Sequence, residues 1–431
     1  TVSANEGRIE SIRQVGGVDW GAPNPFLHDP RGPGTIRVRL VFDSLLESDE
    51  EGLIPWLAKE WEVDGDHYTF TLCEGAKFHD GKPLTSEDIA FTIDYYKKHP
   101  ASNNLLGSED DFIIEDYEIK DDQTIVIKAQ KSIATTEETL GSFLILPKHI
   151  WEKVEDPMTY NDEEAFIGSG IYKLGEYNGT EGSYEFVANE DYYGYPPAAD
   201  RMLYVPVGDE FLSFENGELD IANLPPDLVE AAKKNDEYLV FDKDNMWGSR
   251  LLFNFDKLED LKELENRQAI SHAIDFEAIF DKVNRKHGSV GTPNAVPPTN
   301  KYYNPDAGAY EYQPEEAKEV LEKLGLEFTI LVSSGGVSEG NDAKIAELLK
   351  VDLEKAGIKV QIEELDNKVV DQRIFDEDFE VAIVSHGGWA GPPDYLRGSY
   401  SNDSLRKARS PFYLGSVSYS NEKITELAEA Q

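Results

Sequence analysis

The sequence predicts an α/β fold, and the prediction starts from residues 327–395. Residues 327–334 form a short apolar run bounded by polar residues, which is typical of a buried strand. After Asn341, a good helix N-cap, apolar residues recur on one helical face. That pattern ends at Gly357, where a helix C-terminal glycine belongs. This stretch therefore predicts a strand followed by a helix.

Two more strands are predicted after this helix, at residues 358–365 and 379–384. A strand–helix–strand crossover implies parallel pairing with a right-handed connection. Ligands of such sheets bind outside the carboxyl ends of the strands. Glycine-rich loops begin at those ends, at Gly335 and Gly387. This part of the chain therefore predicts half of a ligand cleft.

The N-terminal half shows shorter elements separated by turn signals. Its predicted strands and turns are residues 8–13, 64–66, 68–72 and 80–81. The apolar residues 36–46 favour a helix. Thr85, with Asp88 three residues later, resembles a capping box, and the helical stripe after it runs to His99.

The C-terminal half adds several helices. Pro225 and the proline after it break the chain before a short helix, and residues 267–279 are predicted as one helix. Pro314 stands at the first position of another helix, which Gly325 ends. Residues 421–430 also have a helical pattern.

The composition indicates folded domains with a very acidic surface. The 431 residues suffice for two or three domains, and 41 Lys and Arg against 84 Asp and Glu give a net charge of −43. This charge argues against binding to nucleic acids or anionic lipids. We interpret the dispersed acidic residues as a solvated surface, with attraction of cationic ligands as the alternative.

Few sequence features point to a metal, a disulfide or a membrane. Cys73 is the only cysteine, which excludes an intramolecular disulfide and a thiolate metal site. No run approaches the roughly 18 apolar residues of a membrane span, and the first residues given do not show a basic region followed by an apolar one, as a signal peptide would. The chain is thus either cytosolic or a mature form whose export signal has been removed.

A series of short motifs runs along the chain. They are LAKEWEV at 57–63, GAKFHDGKPLTSEDI at 75–89, ILPKH at 145–149, GSGIYKL at 168–174, NEDYYG at 189–194, LFNF at 252–255, NRQAI at 266–270 with AID at 273–275, YQPEEAKEVL at 312–321 and GW at 388–389. These motifs and their order resemble the family 5 extracellular solute-binding proteins, the peptide, nickel-chelate and oligosaccharide receptors of ABC importers. The resemblance covers the chain from about Asn24 to Asp394.

The resemblance implies a periplasmic-binding-protein-like fold of class II, cluster C, a two-lobed Venus flytrap that closes by a hinge on a solute. We expect residues 1–39 with 160–250 to form the first lobe. Residues 40–159 are expected to be an extra subdomain of that lobe, and residues 251–431 the second lobe. Family members usually continue beyond this point and return to the first lobe, so we expect a truncated chain or a short member.

The function implied by the resemblance is non-covalent capture of a small solute outside the cytoplasm, without a cofactor. The expected partner is a pair of ABC permease subunits, and the receptor itself is expected to be a monomer, soluble or tethered through a removed N-terminal segment. A sensor domain with the same fold is an open alternative.

A serine hydrolase is the competing enzyme class. Residues 336–340 fit GxSxG with Ser338 as the nucleophile, between a predicted strand and a predicted helix. The glycine-rich turn before Ser338 is loose, and His386-Gly-Gly follows the serine instead of preceding it as an oxyanion-hole motif would. A binding loop is therefore favoured over a nucleophile elbow.

The ligand is left open by the sequence. The resemblance places an amine-binding Asp three residues after Trp389, where this chain has Pro392, and Asp394 is the nearest substitute. In members that bind dipeptides, the resemblance also implies an Arg before the helix that starts near Asn341, where it pairs with the ligand carboxylate. Residues 333–338 of this chain contain no Arg. A free dipeptide is therefore disfavoured against a longer or modified peptide, a metal chelate or an oligosaccharide.

We predict ligand contacts from three kinds of side chain. Trp247 and Trp389 are candidates to stack on a ligand, and His28 and His386 could together meet a metal chelate. The complete predicted set is Asn24, Phe26, His28, Trp247, Arg250, Asn254, His386, Trp389, Asp394 and Tyr395.

Overall fold

The structure is a computed structural model in which the chain divides into two compact units, Thr1–Leu224 and Pro225–Gln431. The predicted limits of the lobes and of the subdomain stay predictions. The structure describes all residues except 1–7, 31, 50, 51, 103–105, 108, 110, 111, 133, 134, 242–246, 292–295, 299, 301, 308, 309, 335–340, 388–394, 401–415, 420, 430 and 431.

One sheet of the first unit joins the start of the chain to residues near position 200. Strand β1 (Ile9–Val15) pairs in parallel with β10 (Ala199–Val205). Strand β9 (Ser183–Ala188) then pairs antiparallel with β10 and with β8 (Tyr172–Asn178). The strand predicted at residues 8–13 is confirmed.

The other sheet of this unit is antiparallel and includes the strand predicted at residues 68–72. Its order is β4 (Ala58–Asp64), β5 (His67–Leu72), β7 (Thr124–Ala129) and β6 (Ile114–Asp121). A separate hairpin precedes it, formed by β2 (Leu46–Asp49) and β3 (Gly52–Pro55).

Five α-helices of the first unit lie in the described residues, namely α1 (Pro33–Val41), α2 (Ser86–Lys98), α3 (Thr136–Ser142), α4 (Lys148–Trp151) and α5 (Glu210–Glu215). The capping box before α2 is confirmed, since the Thr85 N–H donates to the Asp88 carboxylate at 2.9 Å.

The prediction of a helix over 36–46 is wrong at its end. Phe42 is extended at φ −120°, so α1 stops at Val41.

A continuous apolar core joins both sheets of the first unit, with Phe186 from one sheet and Phe70 from the other.

Cys73 lies just after β5 and is partly buried. Its thiol donates to the Trp56 carbonyl at 3.3 Å, and burial raises the pKa of the thiol.

The second unit has one four-stranded sheet, built from the stretch that predicted the α/β fold. Its order is β11 (Trp247–Phe253), β14 (Val381–Gly387), β12 (Glu327–Ser333) and β13 (Lys359–Leu365). Strand β12 is parallel to β13, as predicted. It is also parallel to β14, and β11 is antiparallel to β14.

Helices cover both faces of this sheet. The described helices are α6 (Val229–Ala232), α7 (Leu264–Ala273), α8 (Phe276–Val283), α9 (Pro314–Leu321), α10 (Asn341–Lys355), α11 (Asn367–Phe375), α12 (Tyr395–Tyr400) and α13 (Glu422–Glu429). Apolar residues of α7, α9 and α10 pack on one face, and those of α11 pack on the other. The sheet is therefore buried on both sides, as expected for parallel strands.

The single helix predicted over residues 267–279 is wrong, because the structure has two helices there. Ile274, between α7 and α8, is extended at φ −102° and ψ 126°. Asp275 then caps α8, its side chain accepting a hydrogen bond from the Ala278 N–H at 2.9 Å. The helical apolar pattern continues across the break, which is why it suggested one helix.

Candidate functional site

Four strand ends meet along one edge of the sheet in the second unit. The parallel strands β12, β13 and β14 end there at Ser333, Leu365 and Gly387. Because β11 is antiparallel, it begins at the same edge, where Trp247 lies opposite Gly387. This is the carboxyl edge at which ligands of open α/β sheets bind.

A buried carboxylate lies at this edge. Asp342, in the first turn of α10, is 7% exposed. The hydroxyl of Ser249 in β11 donates to one of its oxygens at 2.5 Å, and that of Ser385 in β14 donates to the other at 3.2 Å. The two serines are register partners across the strand pair. One carboxylate therefore ties two strands and a helix together.

Arg250 follows Ser249 and lies on the opposite face of the sheet, since side chains alternate along a strand. Burial lowers the pKa of Arg250, and the neighbouring Tyr400 of α12 opposes this effect. The aromatic ring of Tyr400 in turn contacts Tyr419 edge to face, at 6.0 Å between ring centres. Arg250 is thus half-buried beside the edge, next to Tyr400.

Asn254 lies beyond the other end of β11. Its side-chain amide donates to the Glu377 carbonyl at 2.9 Å, and its Oδ1 accepts from the Asp256 N–H at 3.1 Å. The residue is 3% exposed. The structure thus places Asn254 in a buried turn, far along the strand from the carboxyl edge.

Asn24 and Phe26 lie within the first unit. The Oδ1 of Asn24 accepts hydrogen bonds from the Phe26 and Leu27 N–H groups, both at 2.9 Å, and so shapes a turn. The Phe26 ring contacts those of Tyr96, at 5.8 Å, and Trp151, at 5.1 Å between centres. Both residues are almost completely buried.

His28 borders a small cavity in the first unit. Its Nδ1 lies 2.8 Å from the Asn24 carbonyl, which requires that Nδ1 carry the proton. Burial lowers the pKa of His28, so the ring is neutral and its Nε2 is free of a proton. The cavity measures about 40 Å³ and is also lined by Arg39 and Tyr96. It has room for one or a few waters.

The other predicted residues fall on or near the same sheet edge by their place in the chain. Trp247 and His386 lie in β11 and β14, and Tyr395 begins α12. Trp389 and Asp394, together with Ser338 of the hydrolase alternative, lie outside the described residues. Of the predicted site residues, Asn24, Phe26 and His28 belong to the first unit, and the rest belong to the second.

Sequence reasoning did not find Arg37, a buried cation in the first unit. The residue is 2% exposed, and its guanidinium lies 4.1 Å from the ring centres of both Tyr184 and Tyr204. Within the described part of the chain, its Nε and Nη1 have no hydrogen-bond partner. Burial lowers the pKa of Arg37, opposed by the two tyrosines. In the sequence, Arg37 shares a helical face with the apolar residues Val38 and Val41, and this pattern could have indicated that Arg37 is buried.

Asp43 was also missed. Its carboxylate accepts hydrogen bonds from the Trp56 indole at 3.0 Å and from the hydroxyls of Tyr192 and Tyr193 at 3.1 and 2.9 Å. Burial raises its pKa to about 7, although these donors oppose the shift. Asp43 therefore joins the end of α1 to the NEDYYG motif.

A second cavity, of about 200 Å³, lies in the second unit near the start of β12. Its charged groups bond to one another, to the backbone or, for Lys257, to Asp378 at 3.0 Å. Arg373 pairs with Glu363 at 2.6 Å, and Glu380 accepts from the Thr329 N–H at 2.8 Å. It is therefore an ion-paired groove away from the carboxyl edge.

The described residues contain no group of three or more His, Cys, Asp or Glu side chains that could hold a metal ion. Among the helices that the structure describes, none is long and apolar enough to cross a membrane.

Comparison with known proteins identifies the class. The fold is that of the two-lobed binding proteins, and the family model described as "Bacterial extracellular solute-binding proteins, family 5 Middle" matches residues 52–405. The chain belongs to this family, as its motifs predicted. Relatives in this class are solute-binding proteins, which favours the receptor prediction over a serine hydrolase at Ser338.

Three relatives illustrate the similarity. The dipeptide-binding protein of Escherichia coli is 27% identical over 374 residues, which are 79% of this chain and 69% of the relative. The oligopeptide-binding protein AppA of Bacillus subtilis is 29% identical over 405 residues, 86% of this chain and 72% of the relative. The crystal structure of NikZ from Campylobacter jejuni, in complex with Ni(L-His), has a TM-score of 0.80 at 22% identity. It covers 98% of this chain and 85% of that one.

Proposed function

We propose that this protein is the extracytoplasmic receptor of an ABC importer. It captures a small solute and delivers it to a pair of membrane permease subunits. The family match over residues 52–405 carries the proposal. Similar proteins whose names refer to ABC transport or to peptide binding support the same role. We infer that the protein acts as a monomer and without catalytic turnover.

The solute is proposed to contact the carboxyl edge of the sheet in the second unit. Trp247, Arg250 and His386 belong to the strands that form this edge, and Tyr395 begins the helix that holds Tyr400 beside Arg250. Trp389 and Asp394 follow β14 in the chain, so they are proposed as contacts from the adjoining loop. Aromatic rings with a few polar groups are typical of small-molecule sites.

From the first unit, His28 is the contact that we propose. Its neutral ring leaves Nε2 able to accept a hydrogen bond or to bind a metal in a chelate. Asn24 holds that ring through its carbonyl, and Phe26 packs beneath the same turn. Asn254 is proposed to act only through the shape of β11.

The ligand classes that fit are a longer or modified peptide, a metal chelate and an oligosaccharide. Relatives are named for dipeptides and oligopeptides, and NikZ was crystallised with Ni(L-His). The aromatic candidates suit peptides and sugars, while His28 and His386 suit a chelate.

The test is native mass spectrometry of gently purified protein, with metal analysis of the same sample. We expect a non-covalent organic mass that is released on denaturation. Thermal-shift titration with tri- to hexa-alanine, Ni²⁺ with L-histidine, and mannohexaose then identifies the class. A covalent fluorophosphonate adduct on Ser338, or ester turnover, would contradict the receptor function.

A further inference from the structure

We propose that Asp342 is a positioning residue for the solute site. It fixes β11, β14 and α10 relative to one another at the edge where the proposed binding loops begin. The inference rests on the proposed function, because it concerns the same edge of the sheet. It assigns a role to a residue that does not itself need to touch the solute.

The contacts converge on both oxygens of one carboxylate. Ser249 donates to Oδ1 at 2.5 Å and Ser385 donates to Oδ2 at 3.2 Å. Ser249 and Ser385 lie opposite each other in the strand pair. Hydrogen bonds to an ionised acceptor are about twice as strong as neutral ones. The three segments are therefore held by two charge-assisted bonds rather than by packing alone.

The three partners are close in the chain to every proposed binding loop of this unit. Ser249 is two residues after Trp247, and Ser385 is directly before His386. Asp342 itself follows residues 335–340, which contain Ser338, by two positions. Asp342 thus contacts both strands at positions close in the chain to Trp247 and His386.

Among the ion pairs of the described residues, none involves Asp342, and its two oxygens accept hydrogen bonds from Ser249 and Ser385. Its place in the first turn of α10 lies at the positive end of the helix dipole, which favours a negative charge. A neutral amide of the same shape keeps one acceptor oxygen, so Asp342→Asn should keep part of the function and Asp342→Ala should lose it.

The test separates positioning from general stability. We would label the full chain with 5-fluorotryptophan, assign the Trp247 resonance with Trp247→Phe, and compare Asp342→Ala with Asp342→Asn. Asp352→Ala is the matched control, because Asp352 lies on the same helix, is 11% exposed in its side chain, and accepts from the Asp275 N–H at 3.2 Å. We expect the Trp247 line to shift or split in Asp342→Ala, to recover in Asp342→Asn and to stay unchanged in Asp352→Ala.

The second readout is affinity for the alanine peptides, nickel–histidine and mannohexaose. A binding site loses affinity when the residues that hold its side chains in place are removed, so we expect Asp342→Ala to weaken binding by about tenfold. We expect Asp352→Ala to change only the melting temperature. Ser249→Ala replaces Asp342→Ala if the latter does not fold. A wild-type Trp247 line in Asp342→Ala would overturn the proposal. If the wild-type protein binds none of the probes, the proposed ligand classes fail, and the fluorine resonance still decides the positioning role.

Discussion

At the residue scale, Asp43 shows how a carboxylate buried among neutral hydrogen-bond donors can couple folding to pH. The side chains of Trp56, Tyr192 and Tyr193 donate to it. Burial in these surroundings raises its pKa to about 7 from the ordinary value of 3.8. The carboxyl group therefore holds a proton more tightly in the folded protein than in the unfolded chain.

We expect Asp43→Asn to remove a component of the pH dependence of stability. Between about pH 4 and pH 7 the folded state binds more protons at Asp43, so the free energy of unfolding falls as the pH rises through this window. Across the window the wild type should lose at most about 4 kcal/mol relative to the variant. Urea unfolding at several pH values measures this difference, and parallel curves for the two proteins would contradict it.

Residue-scale features were the hardest to predict from the sequence. Arg37 and Asp43 acquire their character from partners far away in the chain, such as Tyr204 and Tyr193. Local patterns cannot reveal such partners. Ser249 and Ser385 are equally inconspicuous until the strand register brings them to Asp342.

At the element scale, the local rules worked where a cap or a glycine marks an end. The capping box of Thr85 and Asp88 predicted the start of α2, and Gly357, with φ +92°, follows α10 as expected. The break between α7 and α8 was missed because apolar spacing alone cannot distinguish one helix from two. The capping residue Asp275, just before an apolar run, was the signal that marks it.

Replacing this cap should destabilise the second unit. In Asp275→Ala the Ala278 N–H loses its acceptor, and we expect a loss of about 1 kcal/mol in the free energy of unfolding. Chemical unfolding followed by circular dichroism measures the change. Asp275→Asn, which can still cap the helix, should stay close to the wild type. Equal losses in both variants would exclude the capping role.

At the scale of the whole molecule, the many motifs in one order predicted the family, although no single motif would suffice. The parallel sheet of the second unit was also predictable, because a strand–helix–strand unit leaves few topologies. The identity of the solute was not predictable, because it depends on side chains that different segments of the chain bring to one edge of the sheet. Asn24 and Phe26 show the difficulty, since a motif cannot distinguish a residue that faces a ligand from one in the core.

The net charge of −43 leads to a prediction about salt. Mutual repulsion of the acidic residues opposes the compact state, and salt screens it, with a Debye length of about 10 Å at about 0.1 M and about 3 Å at about 1 M. We therefore expect the melting temperature to rise as sodium chloride increases over this range. Sucrose of equal osmolality is the control, and a melting temperature that is flat or falling in salt would contradict the expectation.

The single cysteine has a practical consequence. Cys73 is partly buried, engages the Trp56 carbonyl and has a raised thiol pKa, so it should react slowly with maleimides. A cysteine introduced at exposed Ser334, directly after β12 at the carboxyl edge, would then take up an environment-sensitive dye almost alone. The native sequence is thus already close to a single-site scaffold for a fluorescent biosensor of whatever solute the receptor collects.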